Sequence, residues 1–357
     1  VVFNLFRATA PILLGIDISP ASIKLLELNK TNTNYRVESF GVVPLPANTI
    51  VENVVKDPLA LSQSIKHLLA KTNPTSKNAA IAISDTMVIT KVIQLNASLS
   101  EADIEDQIAM EAEKYIPYPL QEINLDFSVL GPSAKDKQAI DVLLVAARSE
   151  NILHSVEALE QAGLAVKVVD VQAYTIERAS QLLKHQLPNQ GQDRVIAIID
   201  LGATSTHLTI LDNLKTVYSR EEPFGGQQLT ENIQQRYGLT ASEAGLAKKQ
   251  GGLPDDYQTA VLHPFRETII LQLRRALQFF FSASQYNEVH AIVLAGGTAK
   301  VVGLAKLMEE QLGIPTTVAN PLAQMTVLPK IDSTALLHES CSLLVPCGLA
   351  MRSFNLG

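Results

Sequence analysis

Two aspartates occupy matching places in this chain. Asp17 stands at the end of the apolar run Ile12 to Ile18 and is followed by Ser19-Pro20-Ala21-Ser22. Asp200 stands at the end of Val195 to Leu201 and is followed by Gly202-Ala203-Thr204-Ser205. A third small-residue turn, Gly296-Gly297-Thr298, follows the apolar segment His290 to Leu294. Successive amides in a tight turn form a concavity that favours an anion, and a nearby carboxylate can hold Mg²⁺ through water. Two acid turns facing each other would therefore clamp a polyphosphate from both sides, with Asp17 and Asp200 as the candidate magnesium ligands. Glycines at 296 and 297 would let the backbone approach a flat base or the phosphates closely. The signatures of other chemistries are missing: no Walker A loop, no Gly-x-Ser-x-Gly elbow, no zinc-type Cys/His spacing and no Rossmann fingerprint. His207 lies inside a strand pattern and reads as a partnered sheet residue.

The elements that carry these turns repeat. After the Asp17 turn come strands at Ile23 to Leu28 and Tyr35 to Val43, then a helical pattern (Leu59, Ile65, Leu68, Leu69) that ends at Asn73-Pro74. After the Asp200 turn come strands at His207 to Leu211 and Leu214 to Tyr218. An offset of 183 residues places Asp17 over Asp200, Ser22 over Ser205 and Leu25 over Leu208. A repeat of half a chain means a duplicated domain rather than a solenoid. Thr86 to Glu150 has no counterpart. There a strand (Val88 to Leu95), a capping box (Ser100 to Asp103), a helix carrying Ile104, Ile108, Ala112 and Tyr115, and two strands (Asn124 to Leu130, Ile140 to Ala147) form an inserted β-α-β-β unit. Pro117 and Pro119 end its helix. Helices are expected from Gly225-Gly226 to Gly238, over Ala241 to Gln250, Pro264 to Tyr286 and Val301 to Leu312, with Gly348 to Arg352 on the last one. Pro188 to Asp193 is the hinge candidate.

The 357 residues carry 29 Lys plus Arg against 36 Asp plus Glu, a net charge of −7, which argues against a nucleic-acid partner. With 46% apolar residues there is material for large cores. Cys341 and Cys347 cannot staple a chain this long, so buried thiols in a reducing compartment are expected. No apolar run is expected to span a membrane, and Val1 to Arg7 is too short for a secretory signal. A soluble cytoplasmic protein follows from these readings.

The order of Asp turn, second Asp turn and Gly-Gly-Thr turn resembles the actin-like ATPase superfamily. Tyr115-Ile116-Pro117-Tyr118-Pro119, with Gly15-Ile16-Asp17-Ile18 and Lys24-Leu25-Leu26-Glu27-Leu28, is similar to the PilM family of type IV pilus assembly, over about Ile12 to Arg352. The resemblance implies an α/β, actin-like fold with two RNase H-like halves around a nucleotide cleft. The first half would cover 11–187, with 343–354 packing back on it and the insertion at 86–150. The hinge would be 188–193 and the second half 194–342. It also implies that Asp17, Ser19, Ser22 and Lys24 form the first phosphate loop and Asp200, Gly202, Ala203, Thr204 and Ser205 the second. Gly225 and Gly226 would approach ribose and phosphates, Lys248 would lie beside the ribose or base, and Gly296, Gly297 and Thr298 would meet the adenosine. ATP or ADP with Mg²⁺ is the implied cofactor. The implied partner is the short cytoplasmic tail of a PilN-like inner-membrane protein, docking near Tyr115, Ile116, Pro117 and Tyr118. The implied place is the cytoplasmic side of a Gram-negative inner membrane, reached only through that partner, with a homo-oligomer or filament open.

Two departures argue for binding with slow or no turnover. Pro20 removes a backbone donor from the first loop. Ala244-Gly245 stands where relatives show Ala-Glu before the lysine, so the acid is missing or moved to Glu243. The water-orienting candidate is Asp170 or Gln172. Two alternatives remain. An FtsA-like division protein usually ends in a basic amphipathic helix, and Met351 to Gly357 offers one cation and no helix of useful length. A sugar or acetate kinase needs a catalytic carboxylate in the cleft.

Overall fold

Apolar runs bounded by turn residues become the central strands. The computed structural model describes residues 11–31, 34–133 and 136–354; Val1 to Arg7 and Asn355 to Gly357 lie outside them. β1 (Leu13–Ile18) turns into β2 (Ser22–Thr31), which pairs with β3 (Asn34–Pro44). A small hairpin of β4 (Ile50–Val51) and β5 (Val54–Val55) leads to α1 (Pro58–Thr72). The Asp57 carboxylate caps α1 by accepting from the Ala60 amide at 2.9 Å, and Pro58 sits in the first turn, where its missing N–H costs nothing. β6 (Asn78–Ile83) then runs parallel to β1.

The inserted unit follows as β7 (Val88–Asn96), α2 (Glu101–Tyr115), β8 (Ile123–Pro132) and β9 (Ala139–Arg148), an antiparallel sheet in the order β7-β9-β8. α2 begins at the expected capping box: Ser100 and Asp103 each bond the other's backbone amide. The chain returns through α3 (Ser149–Gln161) to β10 (Ala165–Val171) and α4 (Gln172–Ser180). The second half contains β11 (Val195–Leu201), β12 (Thr206–Asp212), β13 (Lys215–Glu222), α5 (Gly226–Tyr237), α6 (Ala241–Gln250), α7 (His263–Ala283), β14 (Ala291–Ala295), α8 (Leu304–Leu312) and β15 (Thr316–Val318). Then come β16 (Thr326–Val327), α9 (Ser333–Glu339) and α10 (Leu344–Ala350).

The two halves have the same sheet. β3-β2-β1-β6-β10 and β13-β12-β11-β14-β15 share one strand order, with two antiparallel neighbours followed by two parallel ones. The half-chain repeat is thus a duplicated sheet. Its register pairs Asp17 with Lys24 and Asp200 with His207. The return to the first half comes earlier than residue 343, because β16 pairs with Arg36 and Val37 at the edge of β3 and the Leu328 amide donates to the Val37 carbonyl.

One apolar core joins the halves: Leu26, Leu28 and Ile176 from the first, Ile196, Ile198 and Val293 from the second, and α10 between them. Burying one such Leu or Ile contributes about 1.5–3 kcal/mol. α10 lies so close to β1 that a Cβ on Gly15 would sit 2.1 Å from the Pro346 carbonyl oxygen. Ser333–Ser353, contrary to the sequence expectation, is long and apolar enough to cross a membrane. Yet 72% of its apolar window is buried inside the protein, which makes it core. Cys341 and Cys347 are buried free thiols, and burial pushes both thiol pKa values up. The helix expected from Val301 starts later, because Gly303 at φ 75° bends the chain before Leu304.

Candidate functional site

The ends of β1 and β11 bring the two acid turns together. The Lys24 ammonium, from β2, lies 2.5 Å from Asp17 Oδ2, and the two side chains are 14% and 19% exposed. Burial disfavours the charge on Lys24, but Asp17, then Asp200 and Glu339, outweigh it and hold the ammonium above the usual lysine value. Asp200 goes the other way. Burial pushes its carboxyl up and Asp17 adds to this, while His207, Lys24 and a 3.3 Å hydrogen bond from Gln172 Nε2 oppose. A buried carboxylate that is under-compensated in this way suits a cation held through water.

The two loops differ in what they offer a phosphate. In the first, Ser19 N–H and Oγ both donate to the Ser22 carbonyl (3.0 and 2.8 Å), and the Ser22 amide donates back to Ser19. With Pro20 carrying no N–H, the Ala21 amide and the Ser22 hydroxyl are left without partners among the described residues. In the second, only the Gly202 amide closes the turn, on the Ser205 carbonyl at 2.9 Å. The amides of Ala203, Thr204 and Ser205 have no partner among the described residues, whereas the Gly202 and Ala203 carbonyls are occupied by the Gly226 and Gln227 amides at the start of α5. The second loop thus offers more free backbone donors than the first.

The Gly-Gly-Thr turn closes against this loop. Thr298 Oγ1 donates to the Gly202 carbonyl at 2.8 Å, and the Gly296 amide donates to the Cys341 carbonyl at 2.8 Å. Gly296 has φ 85°, and a Cβ there would lie 2.4 Å from Asp200 Oδ1, so this position requires glycine. Gly225 is the N-cap of α5, placed so that a Cβ would lie 2.5 Å from the Ala203 carbonyl oxygen. Lys248 reaches from α6 to α5, donating to the Gly226 carbonyl (3.0 Å) and Thr230 Oγ1 (2.7 Å). Burial, with Lys249 nearby, lowers its pKa, and no carboxylate pairs with it among the described residues. It is not a solvated helix-end cation.

Three expectations are corrected. Asp170 does not face the cleft: its carboxylate is clamped by Arg178 at 2.9 Å and Arg352 at 3.4 Å, which leaves Gln172 as the candidate beside Asp200. Glu243 is not a displaced nucleotide contact, because its carboxylate accepts from the Thr240 amide and hydroxyl in the capping box of α6. Ile116 is only 5% exposed and fills the core of the insert with Ile104, Ile108 and Ala112, so it does not belong to a partner surface. Tyr115 and Tyr118 are exposed, as is Pro117. Lys91 Nζ lies 5.4 Å from the centre of the Tyr115 ring, and the Arg148 guanidinium lies 4.8 Å from that of Tyr118. The polar cluster around Glu221 carries no local sequence motif. Its one available signal was the repeat itself, which carries Lys24 onto His207.

Two equivalent sheets meeting at paired acid hairpins, with a glycine turn closing the second, define an actin-like ATPase fold. Solved structures at 13–30% identity share it. MreB5 of Spiroplasma citri bound to ADP aligns with a TM-score of 0.50 at 13% identity, over 95% of each chain. The cell division protein FtsA of Bacillus subtilis (strain 168) is 24% identical over 86% of this chain and 78% of its own length. A structure described as the PilM–PilN type IV pilus biogenesis complex matches with a TM-score of 0.80 and 30% identity, covering 96% of this chain and 99% of that one. The family model for type IV pilus assembly protein PilM matches residues 15–354. This chain belongs to that family.

Proposed function

We propose that this protein is an ATP-binding adaptor of type IV pilus assembly that captures the cytoplasmic N-terminal tail of a PilN-like inner-membrane protein. The observation that carries the reading is the pairing of a phosphate cradle with a second, separate surface. The unpartnered amides of Ala203, Thr204 and Ser205 serve the cleft, and the ledge of Tyr115, Pro117 and Tyr118 stands out from the insert. The likeness to the PilM–PilN complex supports the partner.

The second loop, with Lys24, would hold the phosphates, and Asp17 and Asp200 would hold Mg²⁺ through water. Gly225 and Gly226 would admit ribose and phosphate, Lys248 would flank the ribose or base, and Gly296, Gly297 and Thr298 would meet the adenosine. Mg²⁺, when bound, would neutralise phosphate charge between Asp17 and Asp200. Turnover is slow or absent in this reading, since the first loop is turned inward and Asp170 is committed to two arginines. Docking through the tail would place the protein on the cytoplasmic side of the inner membrane.

Aromatic rings already held by cations lose little freedom on binding, which makes Tyr115 and Tyr118 efficient contacts. Replacing both with Ala should weaken capture of the PilN-like tail by at least about tenfold, a loss of ~1.4 kcal/mol, and leave Mg·ATP binding unchanged. Calorimetric titration with tail peptide and with Mg·ATP reads both. Normal tail capture by the double variant would move the partner surface elsewhere.

A further inference from the structure

The root of the inserted unit is tied to the second half through two carboxylates, Glu221 and Asp85. Ser84 follows β6, residues 85–87 make a single helical turn, and β7 leaves from Val88 into the insert. From this root Ser84 Oγ and Thr86 Oγ1 (3.1 Å) both donate to Glu221 on β13. Asn53 Nδ2, between β4 and β5, bridges both oxygens of the same carboxylate at 3.1 and 3.2 Å. The next root residue, Asp85, accepts from Ser219 Oγ on β13 and from the Ala173 amide at the start of α4.

The far side of Glu221 leads to the phosphate cradle. His207 Nε2 lies 3.6 Å from Glu221 Oε1 and 3.2 Å from the hydroxyl of Ser205, a member of the second loop. His207 Nδ1 is buried with no partner among the described residues. Burial disfavours the Glu221 carboxylate, but His207, Ser84, Asn53 and Ser205 outweigh it and hold its pKa below the usual range. A charged group satisfied from both halves fixes their relative position, because opening would strip several donors from a carboxylate that is 10% exposed.

We propose that Glu221 and His207 couple the second phosphate loop to the root of the inserted unit, so that nucleotide in the cleft changes the affinity of the insert for its peptide. The proposal rests on the nucleotide-binding adaptor reading. The Ser205 hydroxyl can serve His207 or a phosphate oxygen. Engagement of Ser205 by phosphate takes its hydroxyl from both His207 Nε2 and Glu221, which shifts the balance of contacts at Ser84 and Thr86. By linkage, peptide bound at the insert must alter nucleotide affinity by the same factor, ordinarily about 5–150-fold.

Distance measurement between spin labels on Leu130→Cys, at the outer end of β8, and Val217→Cys, on β13, reads the coupling; the native cysteines are buried. With Mg·ATP the labelled protein should show a shifted or narrowed distribution, and tail-peptide affinity should change with it. In Glu221→Ala the distribution should broaden without nucleotide and lose its ATP response, and the peptide affinities with and without Mg·ATP should become equal. Ser84→Ala, which keeps Glu221 intact, should show the same loss in weaker form and covers the case in which Glu221→Ala fails to fold. A static staple would predict broadening with the ATP response kept, and that result overturns the proposal. Mg·ATP bound by calorimetry with no change in distance or peptide affinity overturns the coupling alone. No Mg·ATP binding at all overturns the underlying reading and the coupling with it.

Discussion

Gly296→Ala is expected to destabilise the protein by about 2–5 kcal/mol and to abolish nucleotide binding, whereas Gly297→Ala one residue away should leave stability unchanged. The first figure combines roughly 1–2 kcal/mol for a positive-φ, extended backbone that a side chain disfavours with roughly 1–3 for overpacking. Gly296 sits at φ 85°, and its added methyl would meet Asp200 Oδ1 and the Leu201 carbonyl oxygen, both at 2.4 Å. Neither can retreat easily: Leu201 ends a buried central strand, and Asp200 is boxed in by Lys24 and Gln172. At Gly297 a Cβ would meet nothing within 4 Å and φ is not positive, so Ala there tests only the approach of a ligand. Thermal unfolding of the two variants beside the parent, followed by Mg·ATP titration of whatever folds, separates these effects. A Gly296→Ala protein that melts with the parent would show that the turn can move away from Asp200.

The acid turns were legible because a fully buried strand is an uninterrupted apolar run, and an acid at its end breaks the pattern visibly. The insert was legible because Ser100-Glu101-Ala102-Asp103 and the prolines at 117 and 119 punctuate it. β6 left little trace, since Asn78–Ile83 is half alanine and carries no alternation. α10 is buried on every side, so it shows no amphipathic period and resembles a membrane segment. The inward hydrogen bonds of Ser19 and Ser22 depend on how one turn closes, which residue types do not specify. The Glu221 clasp was invisible for another reason. Asn53, Ser84 and Thr86 stand 168, 137 and 135 residues away from Glu221, and nothing local in a sequence marks a contact that only the folded halves create.

Asp200→Asn should raise the melting temperature of the nucleotide-free protein near neutral pH while weakening Mg·ATP by about 10–100-fold, the cost typical of losing an outer partner of a metal. The carboxyl of Asp200 is pushed up in the folded state, chiefly by burial. The folded protein therefore holds that proton more tightly than the unfolded chain does. Stability contributed at this site is greatest in acid and falls as pH rises from the ordinary aspartate value, about 3.9, through the raised folded value. Above that range the ionised Asp200 is a net cost, incurred beside Asp17 and relieved only in part by Lys24 and His207. Asparagine removes the charge, keeps an acceptor for Gln172, and leaves Lys24 its closer partner, Asp17 at 2.5 Å. The gain in melting temperature should shrink as pH is lowered through the raised folded value, where the parent itself becomes neutral at this position. Mg·ATP, which stabilises whichever state binds it, should raise the melting temperature of the parent more than that of the variant. A variant that melts lower at neutral pH, or that keeps the full Mg·ATP increment, would mean that the Asp200 charge belongs to the fold and not to a cation site.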